Sequence, residues 1–245
     1  MKRYRVSAKI HDFGHSDRNS DDYKTAKKAS FNEIFASKVV KLYTKHQGNV
    51  LYLDHIGCAT TTALRQEGIK LKHLYSPNCN EQVVATLRNR RINTAKQYFE
   101  QYVGGIDKKF IAVYYDGCGS PVGSTRSDIW PMNTILATLG KMTKQHNSLF
   151  ATTVCLRPGR GLTASADELK EMFLDQITTA FLNCGFSYDE ILIEKYKNST
   201  GNVNMLFCCW KLTPHNKRIA IKYEQGFYLG ELLGFRPHNP NGFAV

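Results

Sequence analysis

The sequence predicts an α/β fold in which a mostly parallel β-sheet carries helices on both faces. Short apolar segments of strand type alternate with helical segments between residues 30 and 185, and parallel neighbouring strands require such crossover connections. The rhythm then changes, because two strand-type segments follow one another across a turn-rich link at residues 197–202. We therefore expect the sheet to end in a β-hairpin that adds an antiparallel strand.

Seven segments have the composition of β-strands, so a seven-stranded sheet is predicted. Residues 110–115 give the strongest signal, since this segment is apolar and rich in β-forming residues. Residues 91–93 give the weakest signal. The other predicted strands are residues 50–53, 69–75, 149–156, 191–196 and 203–212.

Helices are predicted between these strands from apolar periodicity and from capping residues. Ser30 with Glu33, and Ser165 with Glu168, have the spacing of a capping box at a helix N-terminus. The predicted helices cover residues 30–48, 60–66, 80–90, a segment ending near 102, 130–145 and 165–185. The chain then divides into a basic polar N-terminal arm (1–29), an α/β domain (30–212) and a basic C-terminal extension (213–245).

The bulk composition is that of a globular protein. The chain has 245 residues, of which 42% are hydrophobic and 22% charged, enough for one large domain with a substantial core. No segment approaches the roughly 18 apolar residues of a membrane-spanning helix, and no apolar signal-peptide segment follows the basic N-terminus. The seven cysteines are scattered without a C-x-x-C, which favours free thiols and no structural zinc. We expect a soluble, intracellular protein.

The charge balance points to a polyanionic partner. Lys and Arg number 33 against 21 Asp and Glu, giving a formal net charge of +12. Phosphate contacts made by such residues release counterions and so favour nucleic-acid binding. A basic surface that is merely solvated is the alternative interpretation. The candidate nucleic-acid contacts are Lys2, Arg3 and Arg5 in the arm and Arg88, Arg90 and Arg91.

Three loops at predicted strand ends carry the residue types of a binding site. In an open parallel sheet, ligands bind beyond the carboxyl ends of the strands. The first loop, residues 53–64, contains Asp54, Gly57 and three consecutive threonines. Small residues allow a ligand to approach the backbone closely, and threonines offer hydroxyls and amides at a helix start. An ordinary strand-to-helix turn with a threonine cap remains the alternative.

The second and third loops add polar residues at the same edge. Asn78 follows the second predicted strand, where it could bond a ribose or a base edge. It could equally form an Asx turn in which Asn80 caps the next helix. Asp116, Gly117 and Cys118 follow the strongest strand. They offer a carboxylate to a substrate, or simply form a glycine-rich turn.

The order of these elements resembles that of the class I S-adenosylmethionine-dependent methyltransferases over residues 30–212. The resemblance implies a Rossmann-like fold and S-adenosylmethionine as the cofactor. It also implies a role for each loop residue. Asp54, His55, Gly57, Ala59 and Thr62 would surround the cofactor, Asn78 would lie near its ribose and Asn93 near its adenine, and Asp116, Gly117 and Cys118 would border the transferred methyl, with Asp116 and Cys118 as catalytic candidates.

The chain departs from the family pattern in ways that narrow the chemistry. The usual G-x-G is Gly57-Cys58-Ala59, and the usual acid after the second strand is absent. No D/N-P-P-Y/F motif occurs and no Pro-Cys follows the fourth strand, which disfavours methylation of the adenine amino group and of cytosine C5. Ribose 2′-O methyltransferases share a Lys-Asp-Lys-Glu tetrad, and Asp116 and Glu194 fit two of its positions. The third falls near Arg157, which cannot act as a base, and Glu194 is as readily expected to pair with Lys195 or Lys211.

Methyl transfer to RNA or DNA is therefore the function that the sequence predicts. An acceptor that is a glycan, a protein or a small molecule stays open, because the fold itself does not choose the acceptor. A non-catalytic nucleic-acid-binding module on the same fold also stays open. A nicotinamide dinucleotide is a weaker candidate for the cofactor, because no G-x-G-x-x-G follows the first strand.

Overall fold

The computed structural model of the chain describes residues 26–116, 131–158, 163–198 and 202–215. The strands are β1 (Asn49–Tyr52), β2 (Leu74–Tyr75), β3 (Phe110–Tyr115), β4 (Ser148–Cys155), β5 (Phe186–Lys197) and β6 (Asn204–Pro214). The helices are α1 (Ala26–His46), α2 (Ala59–Gln66), α3 (Glu81–Asn89), α4 (Phe99–Gly105), α5 (Pro131–Lys141) and α6 (Ala166–Asn183).

The described strands form one sheet in the order β2-β1-β3-β4-β6-β5. The pairs β2–β1, β1–β3 and β3–β4 are parallel, whereas β6 is antiparallel to both β4 and β5. The predicted α/β class and the closing hairpin are therefore confirmed. The chain runs outward from β1 to β2 and then returns to β3 on the other side of β1, so the order reverses between β1 and β3. Ligands of open α/β sheets bind at such a switch point.

The prediction of seven strands is wrong by one. Residues 91–93 form only an isolated parallel bridge, in which Asn93 pairs with Tyr75. Arg91 has a φ of 59°, a left-handed conformation that interrupts an extended strand. The second predicted strand also shrinks to Leu74 and Tyr75, because a 3₁₀ turn occupies Leu71–His73.

The two predicted capping boxes have different outcomes. Ser165 is confirmed as the N-cap of α6, with its Oγ accepting from Glu168 N at 3.2 Å and Glu168 Oε2 accepting from Ser165 N at 2.7 Å. Ser30 is not an N-cap, because α1 already includes Ala26. The residues before Ser30 are alanine and lysine, which favour helix. As predicted, Gly185 stops α6: the helix ends at Asn183, and Gly185 follows the C-cap with a φ of +78°.

The sheet is buried on both faces by helices. One core cluster lies between the sheet and α4, α5 and α6, where Phe150, Phe181 and Trp210 make ring contacts. The other lies between the sheet and α1, α2 and α3. There Phe31 of α1 stacks on Phe207 of β6 with ring centroids 4.2 Å apart. Aromatic pairs of this kind fix α1 across the middle of the sheet.

No described helix has the length and apolar character needed to cross a membrane. The six cysteines within the described ranges are free thiols. In the same ranges no cluster of three or more His, Cys, Asp or Glu is arranged to hold a metal ion.

Candidate active site

The loop after β1 is organised around the buried carboxylate of Asp54. Its Oδ2 accepts from the backbone N of Thr61 at 2.9 Å and from Thr61 Oγ1 at 2.7 Å, and its Oδ1 accepts from His55 N at 3.0 Å. Burial raises the pKa of Asp54, and the hydrogen bonds from Thr61 oppose that rise. The carboxylate thus joins the end of β1 to the start of α2. In this conformation its hydrogen bonds shape the loop.

Two residues give this loop its sharp bend. Cys58 is buried and has a left-handed backbone, with φ 50° and ψ 43°. Gly57 is exposed, and its N–H donates to His55 Nδ1 at 3.0 Å. A Cβ at Gly57 would lie 2.6 Å from His55 Cε1. The imidazole of His55 therefore covers the main chain at Gly57, and position 57 has room for glycine only while the ring stays there.

Asn78 ties the second loop to the first. Its Nδ2 donates to the backbone O of Asp54 at 2.9 Å, and its Oδ1 accepts from Asn80 N at 2.8 Å. Asn80 in turn caps α3 by accepting from Gln82 N and Val83 N. The Asx turn and the cap anticipated from the sequence are therefore present. In addition, two predicted site residues that are 24 positions apart are in direct contact.

The side chains of two predicted cofactor residues, Thr62 and Asn93, bond to nearby backbone carbonyls. Thr62 donates to the backbone O of Cys58 at 2.8 Å and faces an outer groove with Arg65. Asn93 donates to the backbone O of Lys72 at 3.1 Å and of Leu74 at 2.9 Å. Its amide group therefore completes the hydrogen bonding of the short strand β2. Ala59 is the first residue of α2.

Asp116 lies directly after β3, and its carboxylate pairs with a lysine from α1. Lys28 Nζ is 2.5 Å from Asp116 Oδ2, and the two side chains are only 15% and 12% exposed. Ion pairs so far removed from water are uncommon because both charges lose hydration. The pair therefore places a desolvated carboxylate and its cation at the carboxyl edge of the central strand.

The neighbours of this pair are polar and aromatic. Tyr114 OH lies 3.1 Å from Thr153 Oγ1. Burial and then the Asp116 carboxylate raise the pKa of Tyr114 well above its usual value, while Lys28 acts in the opposite direction. Tyr114 therefore remains a neutral hydroxyl beside the ion pair at neutral pH.

Glu194 pairs with Lys27 of α1. The expected pairing with Lys195 or Lys211 is wrong, because these lysines pair with Asp167 and Asp189 respectively. The two successive lysines at the start of α1 thus reach the two acids, Asp116 and Glu194, that matched the tetrad positions.

Lys28 is the site residue that the sequence analysis did not identify. Assigning residues 1–29 to an arm separated it from the domain. No local pattern pairs Lys28 with an acid, because its partner Asp116 lies 88 positions further along the chain.

The remaining predicted residues divide into two groups. Arg88, Arg90 and Arg91 are exposed at the end of α3. Gly117, Cys118, Lys2, Arg3 and Arg5 lie outside the described residues, so their roles stay predictions.

Comparisons with known proteins give distant structural similarities alone. No family model matches the chain, and no curated protein matches it. It is similar to N-methyltransferase NodS from Bradyrhizobium japonicum, solved with S-adenosyl-L-homocysteine, at 11% identity over 74% of this chain and 87% of that chain with a TM-score of 0.47. It is also similar to cofactor-bound Rv0187 from MTB at 12% identity, over 79% and 82% of the two chains, with a TM-score of 0.49.

A third similar structure is Trm5b from Pyrococcus abyssi, at 9% identity over 73% of this chain and 48% of that chain, with a TM-score of 0.46. Similarities this remote do not decide an activity. The function has to be argued from the residues of the chain itself.

Proposed function

We propose that this protein is an S-adenosylmethionine-dependent methyltransferase that acts on a nucleic acid. The main support is the contact between Asn78 Nδ2 and the Asp54 carbonyl, 2.9 Å long. It brings two of the three predicted loops together at the carboxyl edge of the sheet. Asp116, the first residue of the third loop, directly follows β3, the strand that pairs with β1 on the side away from β2.

The residues at this edge fit an adenosyl cofactor. Gly57 is exposed, and the His55 imidazole lies over its main chain, so a ligand that contacts the backbone at Gly57 has to displace this ring. Asn78 retains one N–H and one lone pair of its amide for a ribose hydroxyl. Asp54 holds the loop in this shape from below.

S-adenosylmethionine supplies a methyl group that is already activated on a sulfonium. The protein therefore has to bind, orient and exclude water, and needs no covalent step of its own. In this proposal Asp116 accepts a hydrogen bond, or a proton, from the hydroxyl or amino group that receives the methyl. Lys28 balances the charge of that carboxylate and fixes its orientation.

The acceptor is assigned from charge. The chain carries a formal net charge of +12, and the exposed arginines at the end of α3 are suited to phosphate. Phosphate contacts position a nucleic acid without reading its sequence. A nucleic acid is therefore the acceptor class that this surface favours, ahead of a small molecule.

Calorimetry with S-adenosylhomocysteine tests the cofactor site. We expect the wild type to bind, and Gly57→Ala to bind about tenfold more weakly or worse, which corresponds to a loss of about 1.4 kcal/mol. Gly104→Ala is the matched control, because nothing lies within 4 Å of a Cβ at that position. No binding by the wild type, or equal loss in both variants, would remove the cofactor site.

A transfer assay separates the acceptor classes. Protein and radiolabelled S-adenosylmethionine are incubated with RNA, with DNA, or with a small-molecule extract. Label in RNA or DNA supports the proposal, and label in the extract alone contradicts the acceptor. Binding of S-adenosylhomocysteine without transfer to any of them would favour a non-catalytic module.

A further inference from the structure

A groove of about 540 Å³ lies on the outer surface where α2 approaches the end of α3. Most of the lining surface is apolar, and two arginines are among the residues that form the walls. The lining residues are Thr61, Thr62, Arg65, Gln66, Leu71 and Arg90. The groove is thus separate from the ion pair at Asp116, although Thr61 links it to the loop after β1.

The chain around this groove is strongly basic. Residues 65–96 contain seven Lys or Arg and two Asp or Glu, and one of those acids, Glu81, pairs with Lys96 at 2.7 Å. Among the described residues, no salt bridge involves Arg65, Arg88, Arg90 or Arg91. The positive charge of this face is therefore not neutralised within the described part of the chain.

Hydrogen bonds to backbone carbonyls hold the two groove arginines, Arg65 through its side chain and Arg90 through its backbone. Arg65 Nη1 donates to the backbone O of Ile69 at 2.8 Å, which orients its guanidinium. The backbone N of Arg90 donates to the carbonyls of Thr86 and Leu87, so the base of its side chain is fixed on the helix end. Arginines that are oriented before binding lose less conformational freedom when they bind phosphate.

Arg91 occupies a position where glycine is favoured. Its φ is 59°, and the hydrogen bonds from Arg91 N to Arg88 O and from Ile92 N to Leu87 O define a Schellman motif. The residue after the C-cap of this motif is usually glycine, because an L side chain is strained there. An arginine at this position adds charge to the basic face at a cost in conformational energy.

We propose that this face, made of Arg65 and Arg90 in the groove with Arg88 and Arg91 beside it, binds the phosphodiester backbone of the nucleic-acid acceptor. The inference rests on the nucleic-acid acceptor of the proposed function. It adds where the polyanion is held. Bidentate guanidinium contacts match phosphate geometry.

Fluorescence anisotropy across a salt series tests this assignment, using a labelled single-stranded RNA and a DNA of the same sequence. Each phosphate contact on a single strand contributes about 0.7 to the slope of log affinity against log salt. We expect the double variant Arg65→Ala/Arg90→Ala to lose about 1.4 from that slope. At about 0.1 M salt this corresponds to binding roughly 25-fold weaker, and near 1 M salt the difference should vanish.

Two further variants make the test specific. Lys197→Ala removes one exposed positive charge from β5, which lies at the opposite edge of the sheet from β2, and it should leave binding unchanged. Arg91→Gly should bind roughly fivefold more weakly and yet melt about 2–4 °C higher, since it relieves the left-handed strain. A gain in stability with a loss of binding cannot come from misfolding.

The outcomes separate the two proposals. Unchanged binding by the double variant, or an equal loss in Lys197→Ala, overturns the assignment of this face. Preferential binding of an acidic protein with no salt-dependent binding of RNA or DNA overturns it as well. Failure of the cofactor site is measured independently by calorimetry with S-adenosylhomocysteine, which does not require a nucleic acid.

Discussion

Removing Lys28 should destabilise the protein far more than removing the adjacent Lys27. Lys28→Met keeps the aliphatic stem but takes the cation from an Asp116 carboxylate that is only 12% exposed. Removing one partner of a buried ion pair lowers the free energy of unfolding by about 3–5 kcal/mol. Because both side chains keep some exposure, we expect a loss of about 3 kcal/mol. Lys27→Met breaks a pair whose side chains are 59% and 31% exposed, for which about 0–1 kcal/mol is expected.

Urea denaturation measures this difference, with the midpoint compared at constant slope. The double variant Lys28→Met/Asp116→Asn completes a double-mutant cycle and should recover much of the loss, since the carboxylate no longer needs a cation. If Lys28→Met costs no more than Lys27→Met, the Lys28–Asp116 pair is solvated, and the description of Asp116 as a desolvated carboxylate is wrong.

Two other outcomes follow from the site and from the histidines. Asp116→Asn should lower methyl transfer by about 10²-fold or more while S-adenosylhomocysteine binding, measured by calorimetry, stays within about twofold; unchanged turnover would remove Asp116 from the reaction. Burial lowers the pKa of both His46, which stacks on His146 at 3.7 Å, and His73. The folded protein therefore favours the neutral form of both histidines. Their contribution to the free energy of unfolding is complete above the unfolded-state pKa of about 6.5. It is lost as the pH falls through the lower pKa values of the folded state. Thermal unfolding between pH 7 and pH 5 should show this loss, and a His46→Gln/His73→Gln variant that keeps the same pH slope would contradict it.

Most of the fold could be predicted because long apolar segments leave few alternatives. Residues 110–115 form β3 with the predicted bounds, and the helix from Ser165 is fixed by a capping box that the structure contains. The failures occur where local signals are short. Residues 69–75 and 91–93 have strand composition, but backbone conformations of 3₁₀ and left-handed type reduce both to two-residue or single-residue pairings.

The site was less predictable because its contacts are distant in sequence. The strand ends that carry Asp54, Asn78 and Asp116 are neighbours because of the order β2-β1-β3, and the sequence analysis did not predict this order. The direction of the Asn93 and Thr62 side chains does not follow from position, because each can satisfy a nearby carbonyl instead of a ligand. The partnership of Lys28 with Asp116 spans more than half of the described chain, and no local pattern encodes it.

The anchoring of α1 has a consequence for how the chain is made. The Lys27–Glu194 contact joins residues 167 positions apart, so the first described helix cannot complete its contacts until β5 has left the ribosome. Contacts of such long range form late and slow folding. During synthesis the apolar side of α1, which includes Phe31, stays unpaired until Phe207 of the last described strand has been made. The apolar side of α1, the first described helix, is therefore exposed to aggregation until almost all of the other described elements have been translated.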